Sequence, residues 1–261
     1  MSDAVVPAAW VVDRLDSVAV VDVRDAWEYD GIGHLPGAVN VPFDSFRSDE
    51  AGEAGMLPGA DRFAELCSEA GIGNDDEIVA YDDTHGVFAA RFLVTAELYG
   101  HDPAKLHLLD GDYSSWSREH EVSKDEPDPS PTEYETSFRT DGPLVELSVV
   151  EDALDDDGTV LVDTREEWEF EEGHIPGAVR VDWRELVDDE TRGLRPESEI
   201  RELLESRGVS PDRRVLLYCN TARRISHTYT VLRHLEYPDL AFYEGSLTEW
   251  QREGGDLETS S

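Results

Sequence analysis

The sequence predicts an α/β protein of two tandem domains, each an open, mainly parallel sheet with helices on both faces. The first reason is that the chain repeats itself. VVDVRDAWEYDGIGHLPGAVNVPF, from Val20 to Phe43, returns as LVDTREEWEFEEGHIPGAVRVDW, from Leu161 to Trp183, with one residue fewer between Trp168 and His174 than between Trp27 and His34. The register holds further on: AGIGNDDEIVAYDD matches RGVSPDRRVLLYCN, and LLDGDYSSW matches FYEGSLTEW. Copies about 140 residues apart, each of single-domain length, mean a duplicated domain rather than a solenoid. The second reason is hydrophobic pattern. Val18 to Val23, Thr159 to Val162 and Val215 to Tyr218 are apolar runs without alternation, as in strands buried on both faces of a parallel sheet. Helical segments between such strands cover both faces.

Each copy reads strand, turn, strand, helix, strand, helix, strand. The Gly-His-Leu-Pro-Gly and Gly-His-Ile-Pro-Gly segments are turns, set by glycine and proline. Phe63 to Ala70 and Ile200 to Arg207 are amphipathic helices ended by Gly71 and Gly208. Cys67 falls inside the first of these and reads as core packing. After Val215 to Tyr218, the apolar residues Ile225, Tyr229, Leu232 and Leu235 recur at the spacing of one helix face. The stretch EVSKDEPDPSPTEYETSFRTDGP carries four prolines and almost no aliphatics, so it reads as a linker draped over a domain surface. The predicted division is a first domain over 1–120, a linker over 121–143 and a second domain over 144–261.

Composition narrows the partners. Sixty acidic against 22 basic residues give a net charge of −38, spread along the chain. Such a surface repels nucleic acid and anionic membranes. Hydrophobic residues at 39% still support globular cores. The charge balance resembles that of a halophile's cytosolic protein, in which concentrated salt screens the self-repulsion. MSDAVVPAAW shows no basic region followed by an apolar core, and no run approaches membrane-spanning length. Two cysteines, Cys67 and Cys219, do not make a disulfide framework, so a cytoplasmic, reducing location is expected. No cluster of His, Cys and carboxylates has metal-ligand spacing, and neither a metal nor a cofactor is predicted.

Cys219 stands where the last strand of this pattern ends and a helix begins. Backbone N–H groups and the helix dipole favour an anion there, and Arg223 and Arg224 add cations that lower a thiol's pKa. A buried, inert cysteine is the bland alternative, disfavoured by the polar and basic neighbours. Ligands of open α/β sheets bind beyond the strands' carboxyl ends, where Cys219 lies.

The repeated Asp-x-Arg followed by Gly-His-x-Pro-Gly-Ala, the Tyr-Cys strand end and the closing Gly-Ser-Leu-x-x-Trp together resemble the rhodanese family, specifically its tandem-domain thiosulfate and 3-mercaptopyruvate sulfurtransferases of haloarchaeal type. The resemblance covers nearly the whole chain. It implies a ping-pong reaction in which the Cys219 thiolate takes the outer sulfur of thiosulfate, releases sulfite, and passes the persulfide sulfur to cyanide or another thiophile. Its partners are then a small-molecule sulfur donor and a thiophilic acceptor. The loop Asn220, Thr221, Ala222, Arg223 and Arg224 would cradle the negative charge through its N–H groups and guanidinium groups. Ala222 stands where many relatives have glycine, a departure that matters if the position needs positive φ. Arg165 holds the family position expected to contact the substrate oxyanion, with a salt bridge inside the Asp-x-Arg turn as the alternative. His34, His174 and His227 read as structural.

In the first copy Asp82 occupies the position of Cys219, and a carboxylate cannot hold a persulfide. That domain is expected to be inert and to wall the active-site cleft. The resemblance leaves 3-mercaptopyruvate as the alternative donor. Two further readings compete. Cysteine phosphatases use a Cys-x5-Arg loop, but the sixth residue after Cys219 is Ile225 and Arg224 comes one place early. A non-catalytic binding module suits the first domain alone, since Cys219 is present in the second.

The charge balance carries a prediction. The melting temperature should climb steeply as KCl rises from about 0.1 M to several molar, because the Debye length shrinks from about 10 Å to below about 3 Å. Thermal unfolding followed by circular dichroism checks it, and a flat profile would remove the argument for salt adaptation.

Overall fold

The computed structural model describes residues 3–48, 56–125, 127–220 and 222–259. It divides into two compact units, one formed by Asp3–Thr140 with Asp189–Gly193, the other by Asp141–Asp188 and the chain from Leu194 onward. The first unit runs β1 (Val5–Val6), α1 (Ala8–Val12), β2 (Ala19–Asp22), α2 (Ala26–Ile32), β3 (Val39–Asn40), α3 (Ala60–Glu69), β4 (Ile78–Tyr81), α4 (Val87–Leu98), β5 (Leu106–Leu109) and α5 (Tyr113–Glu119). Its strands lie in the order β1-β5-β4-β2-β3, all pairs parallel. The second unit repeats this with β6 (Leu144–Val145), α6 (Leu147–Ala153), β7 (Thr159–Asp163), α7 (Glu167–Glu172), β8 (Val179–Arg180), α8 (Glu197–Ser206), β9 (Arg214–Tyr218), α9 (Ala222–His234), β10 (Leu240–Tyr243) and α10 (Ser246–Arg252). Its order is β6-β10-β9-β7-β8, again parallel throughout.

The apolar runs become these strands because both sheet faces are covered. All residues of β4 and β7 are buried, and so are Val215 to Tyr218 of β9. In the second unit one face packs Val150, Leu161, Ile175, Leu216, Tyr218, Tyr243 and Trp250 into a single cluster. The helix face expected after Cys219 is also buried, with Ile225, Tyr229, Leu232 and Leu235 at 4% exposure or less. Helices α3 and α8 end as their sequences require: Gly71 and Gly208 take φ of +72° and +75°, a left-handed turn that other residues adopt only with strain.

Two kinds of element lie outside the sequence reading. The edge strands β1 and β6 have two residues each, too few to show a period. Short helices α2 and α7 occupy what read as part of a turn, and each begins with a capping box, Asp25 with Glu28 and Glu166 with Glu169. The linker lies on the first unit. Ser123 pairs with His34, Thr132 N–H donates to the Ser68 carbonyl, and Tyr134 is buried against His101. Asp189–Gly193, which the sequence assigned to the second domain, belongs to the first unit because Arg192 pairs with Asp112. Its Nε lies 2.8 and 2.7 Å from the two oxygens of that fully buried carboxylate.

The first unit shows what the sequence put in place of a cysteine. Asp82 follows β4 with 1% exposure, and the next residues wind around its carboxylate. Oδ1 accepts the N–H groups of Thr84 at 2.6 Å and Gly86 at 2.8 Å, and Oδ2 those of Phe88 at 2.7 Å and Ala89 at 3.0 Å. Burial pushes this carboxyl above the usual carboxylate range, while the four N–H bonds pull it down. The negative charge that fits this loop is supplied by the chain itself. Replacing Asp82 with Asn turns an NH2 group toward two of the four donors, so urea unfolding should show a loss of about 3 kcal/mol. An unchanged midpoint would mean that the cradle contributes nothing to folding.

Candidate active site

The chain leaves β7 toward the sheet edge at β8 and returns on the other side of β7 as β9, so the loops after β7 and β9 diverge at the sheet's carboxyl end. Cys219 is the first residue past β9. It is fully buried, its N–H donates to Ser246 Oγ at 3.2 Å, and its carbonyl accepts from Leu247 N–H at 2.9 Å. Ser246, the first residue of α10 at a φ of +53°, donates its hydroxyl to the Tyr243 carbonyl at 2.9 Å. The strand end is therefore tied to the neighbouring β10 turn from both sides.

Helix α9 begins at Ala222, earlier than the predicted loop allows. Ala222, Arg223 and Arg224 form its first turn, whose N–H groups lack intrahelical acceptors. Ala222 is helical and buried, so this position does not need a glycine's positive φ. Thr221 lies outside the described residues. Asn220 and Arg224 both reach Glu169, from α7. Asn220 Nδ2 donates to Glu169 Oε1 at 2.6 Å, Arg224 Nη2 to the same oxygen at 3.4 Å, and Arg224 Nη1 to Oε2 at closer range. Burial pulls the Arg224 guanidinium pKa down, and the bonds to Glu169 together with the charges of Glu169 and Cys219 outweigh it, so the net shift is upward. Arg224 stands in the first turn of the helix that opens three residues after Cys219. Arg223 is half-buried in the same turn.

Arg165 is held elsewhere. Its Nε lies 3.0 Å from both oxygens of Asp163, and its Nη2 donates to Asp163 Oδ2 and to the Gly173 carbonyl, each at 2.7 Å. Of its two readings, these are the bonds of the salt bridge. Arg24 makes the same set with Asp22 and Gly33 in the copy that has Asp82 at the position of Cys219. The two turn histidines stack on aromatic neighbours, His34 on Tyr29 and His174 on Phe170, at centroid distances of 4.0 and 3.7 Å. His227 is buried against Trp183. Cys67 sits inside α3, where burial pushes its thiol up and out of reach of ionisation at neutral pH. Among the described residues no cluster of His, Cys, Asp and Glu could hold a metal ion, and no helix is long and apolar enough to cross a membrane.

Sequence reasoning missed Glu169 and Ser246. The signal for Ser246 was the repeated closing motif. Glu169 had a sufficient local reason in its capping box, which hid its second role.

The profile of the Rhodanese-like domain matches residues 7–119 and again 146–253. A putative thiosulfate sulfurtransferase of Synechococcus elongatus is 31% identical over 275 residues, covering 97% of this chain and 84% of its own. One of the same description from Haloferax volcanii is 30% identical over 278 residues, covering 95% and 93%. The crystal structure of SseA from Escherichia coli, described as a 3-mercaptopyruvate sulfotransferase, superposes with a TM-score of 0.82 over 93% of this chain and 98% of its own, at 24% identity, a likeness of fold. With both halves matched and relatives above 30% identity along nearly the whole length, the chain belongs to the rhodanese family and carries two copies of its domain.

Proposed function

We propose that this protein is a sulfurtransferase that moves the sulfane sulfur of thiosulfate to cyanide or another thiophile through a persulfide on Cys219. The observation that carries the reading is the placement of Cys219 at the end of β9, three residues before the start of α9, whose first turn holds Arg224. A guanidinium and a helix N-terminus beside a thiol favour the thiolate, the form that attacks. The thiolate bonds to the outer sulfur of thiosulfate as the sulfur–sulfur bond of the donor breaks and sulfite leaves with the electron pair. Cyanide then bonds to the outer sulfur of the persulfide, thiocyanate departs, and the Cys219 thiolate is restored. No proton source or redox partner is needed. Asn220, Thr221, Ala222, Arg223 and Arg224 are assigned to binding the anionic donor and the sulfite leaving group. Relatives of about 30% identity named as thiosulfate sulfurtransferases support the chemistry.

A second donor has a specific observation in its favour. Thiosulfate is a dianion and the loop carries two guanidinium groups, Arg223 and Arg224, one of which Glu169 offsets. A monoanionic donor such as 3-mercaptopyruvate suits that weaker positive field.

Thiocyanate formation from thiosulfate and cyanide tests the assignment of the nucleophile. Cys219→Ser should abolish it, while Cys67→Ser should leave it within about twofold of wild type, since a thiol inside α3 touches no reacting atom. Loss of all activity in a folded Cys67 variant would contradict a single nucleophile.

A further inference from the structure

We infer that Glu169 tunes the donor specificity of the sulfur-transfer site: its carboxylate holds Arg224 and Asn220 and lowers the positive field, which weakens the site's preference for a dianion such as thiosulfate over a singly charged donor. The inference rests on the sulfurtransferase reading and deepens it. Glu169 is a positioning and specificity residue, acting through the groups that flank Cys219.

Glu169 is more than a helix cap. In both copies the third residue of the short helix is a glutamate whose oxygen accepts the N–H that opens the capping box, from Asp25 at 3.3 Å to Glu28 and from Glu166 at 3.0 Å to Glu169. The cap is thus common to the two. In the first copy Val87 stands at the position of Arg224 and Asp83 at that of Asn220, so Glu28 has neither of those donors to hold. Only in the copy with the cysteine do an arginine and an asparagine from the nucleophile's own loop converge on the carboxylate. The cap fixes Glu169 against α7, and the side chains of Glu169 and Arg224 are only 7% and 17% exposed. A charge pair held this far from water acts on its surroundings more strongly than one at the surface.

The consequence follows from charge. With the thiolate formed, the two guanidinium charges of the loop, Arg223 and Arg224, are matched in number by the negative charges of Cys219 and Glu169. A donor dianion then meets no surplus of positive charge, and it meets the repulsion of Glu169 twice over where a monoanion meets it once. Removing that one negative charge should favour thiosulfate over 3-mercaptopyruvate by about threefold to tenfold, after allowing for screening by salt.

The test compares kcat/KM for thiosulfate and for 3-mercaptopyruvate in wild type, Glu169→Gln and Glu169→Asp at one salt concentration. Glutamine keeps the size and one acceptor oxygen without the charge, and aspartate keeps the charge. The thiosulfate-to-mercaptopyruvate ratio should rise about threefold to tenfold in Glu169→Gln and stay near wild type in Glu169→Asp. A ratio unmoved in Glu169→Gln, with both activities falling together, would overturn the inference and leave Glu169 a structural holder. Equal shifts in both variants would also overturn it. If wild type transfers sulfur from neither donor, the sulfurtransferase reading fails and this inference with it. Transfer by wild type with an indifferent ratio sinks the inference alone. Thermal unfolding of each variant confirms that the ratios compare folded proteins.

Discussion

A carboxylate and a guanidinium two residues apart, Asp163 and Arg165, hold together the corner from which Cys219 emerges. Asp163 ends β7 and lies in register with Tyr218, the last residue of β9. The guanidinium bonds Asp163 and reaches the Gly173 carbonyl, while the Tyr218 hydroxyl accepts the Ile175 N–H at 3.1 Å. Three sequence motifs, Asp-x-Arg, Gly-His-x-Pro-Gly and Tyr-Cys, thus become one buried network. Losing either member of the ion pair would strand a charge in the core, a loss of about 3–5 kcal/mol. Asp22, Arg24, Tyr81 and Leu35 repeat the arrangement in the first unit. Because the lock exists with and without a cysteine, it belongs to the fold, and it places the residue after the tyrosine at the carboxyl end of the central strand in both.

What each copy puts at that place decides its chemistry. Asp82 is a carboxylate on a short stem, and its loop closes over it with four N–H bonds. Cys219 can bear charge as a thiolate or persulfide, and its surroundings are built differently. The helix starts directly at Ala222, and a side-chain pair, Arg224 with Glu169, stands where the first copy has Val87 and Glu28. One scaffold therefore supports a loop filled by its own carboxylate in one copy and, in the function proposed above, a loop that takes an external anion in the other.

The inner strands β2, β4, β7 and β9, the repeat and the helices α3, α8 and α9 were legible because each carries enough residues to show a pattern or a cap. The place of Cys219 was legible for a related reason: the strand before it and the helix after it both show their pattern, which puts it at a strand–helix corner. Arg165 was ambiguous by nature, since an Asp-x-Arg turn can satisfy itself, and only the geometry of Asp163 and Gly173 separates the readings. Arg224 was visible as a charge, but its partner was not. Glu169 lies 55 residues earlier in the chain, and no local pattern links the two. The membership of Asp189–Gly193 was hidden likewise, because the need of buried Asp112 for a cation is a property of the folded unit.

The central claim is that one cysteine, set by the Asp163–Arg165 lock at the end of β9, carries sulfur as a covalent intermediate. Mass spectrometry of the intact protein and of its peptides after thiosulfate treatment tests this most directly. The account predicts a gain of one sulfur atom, located on the peptide that contains Cys219 and removed by cyanide. A protein whose mass is unchanged by thiosulfate, or whose added sulfur maps to Cys67, would contradict it.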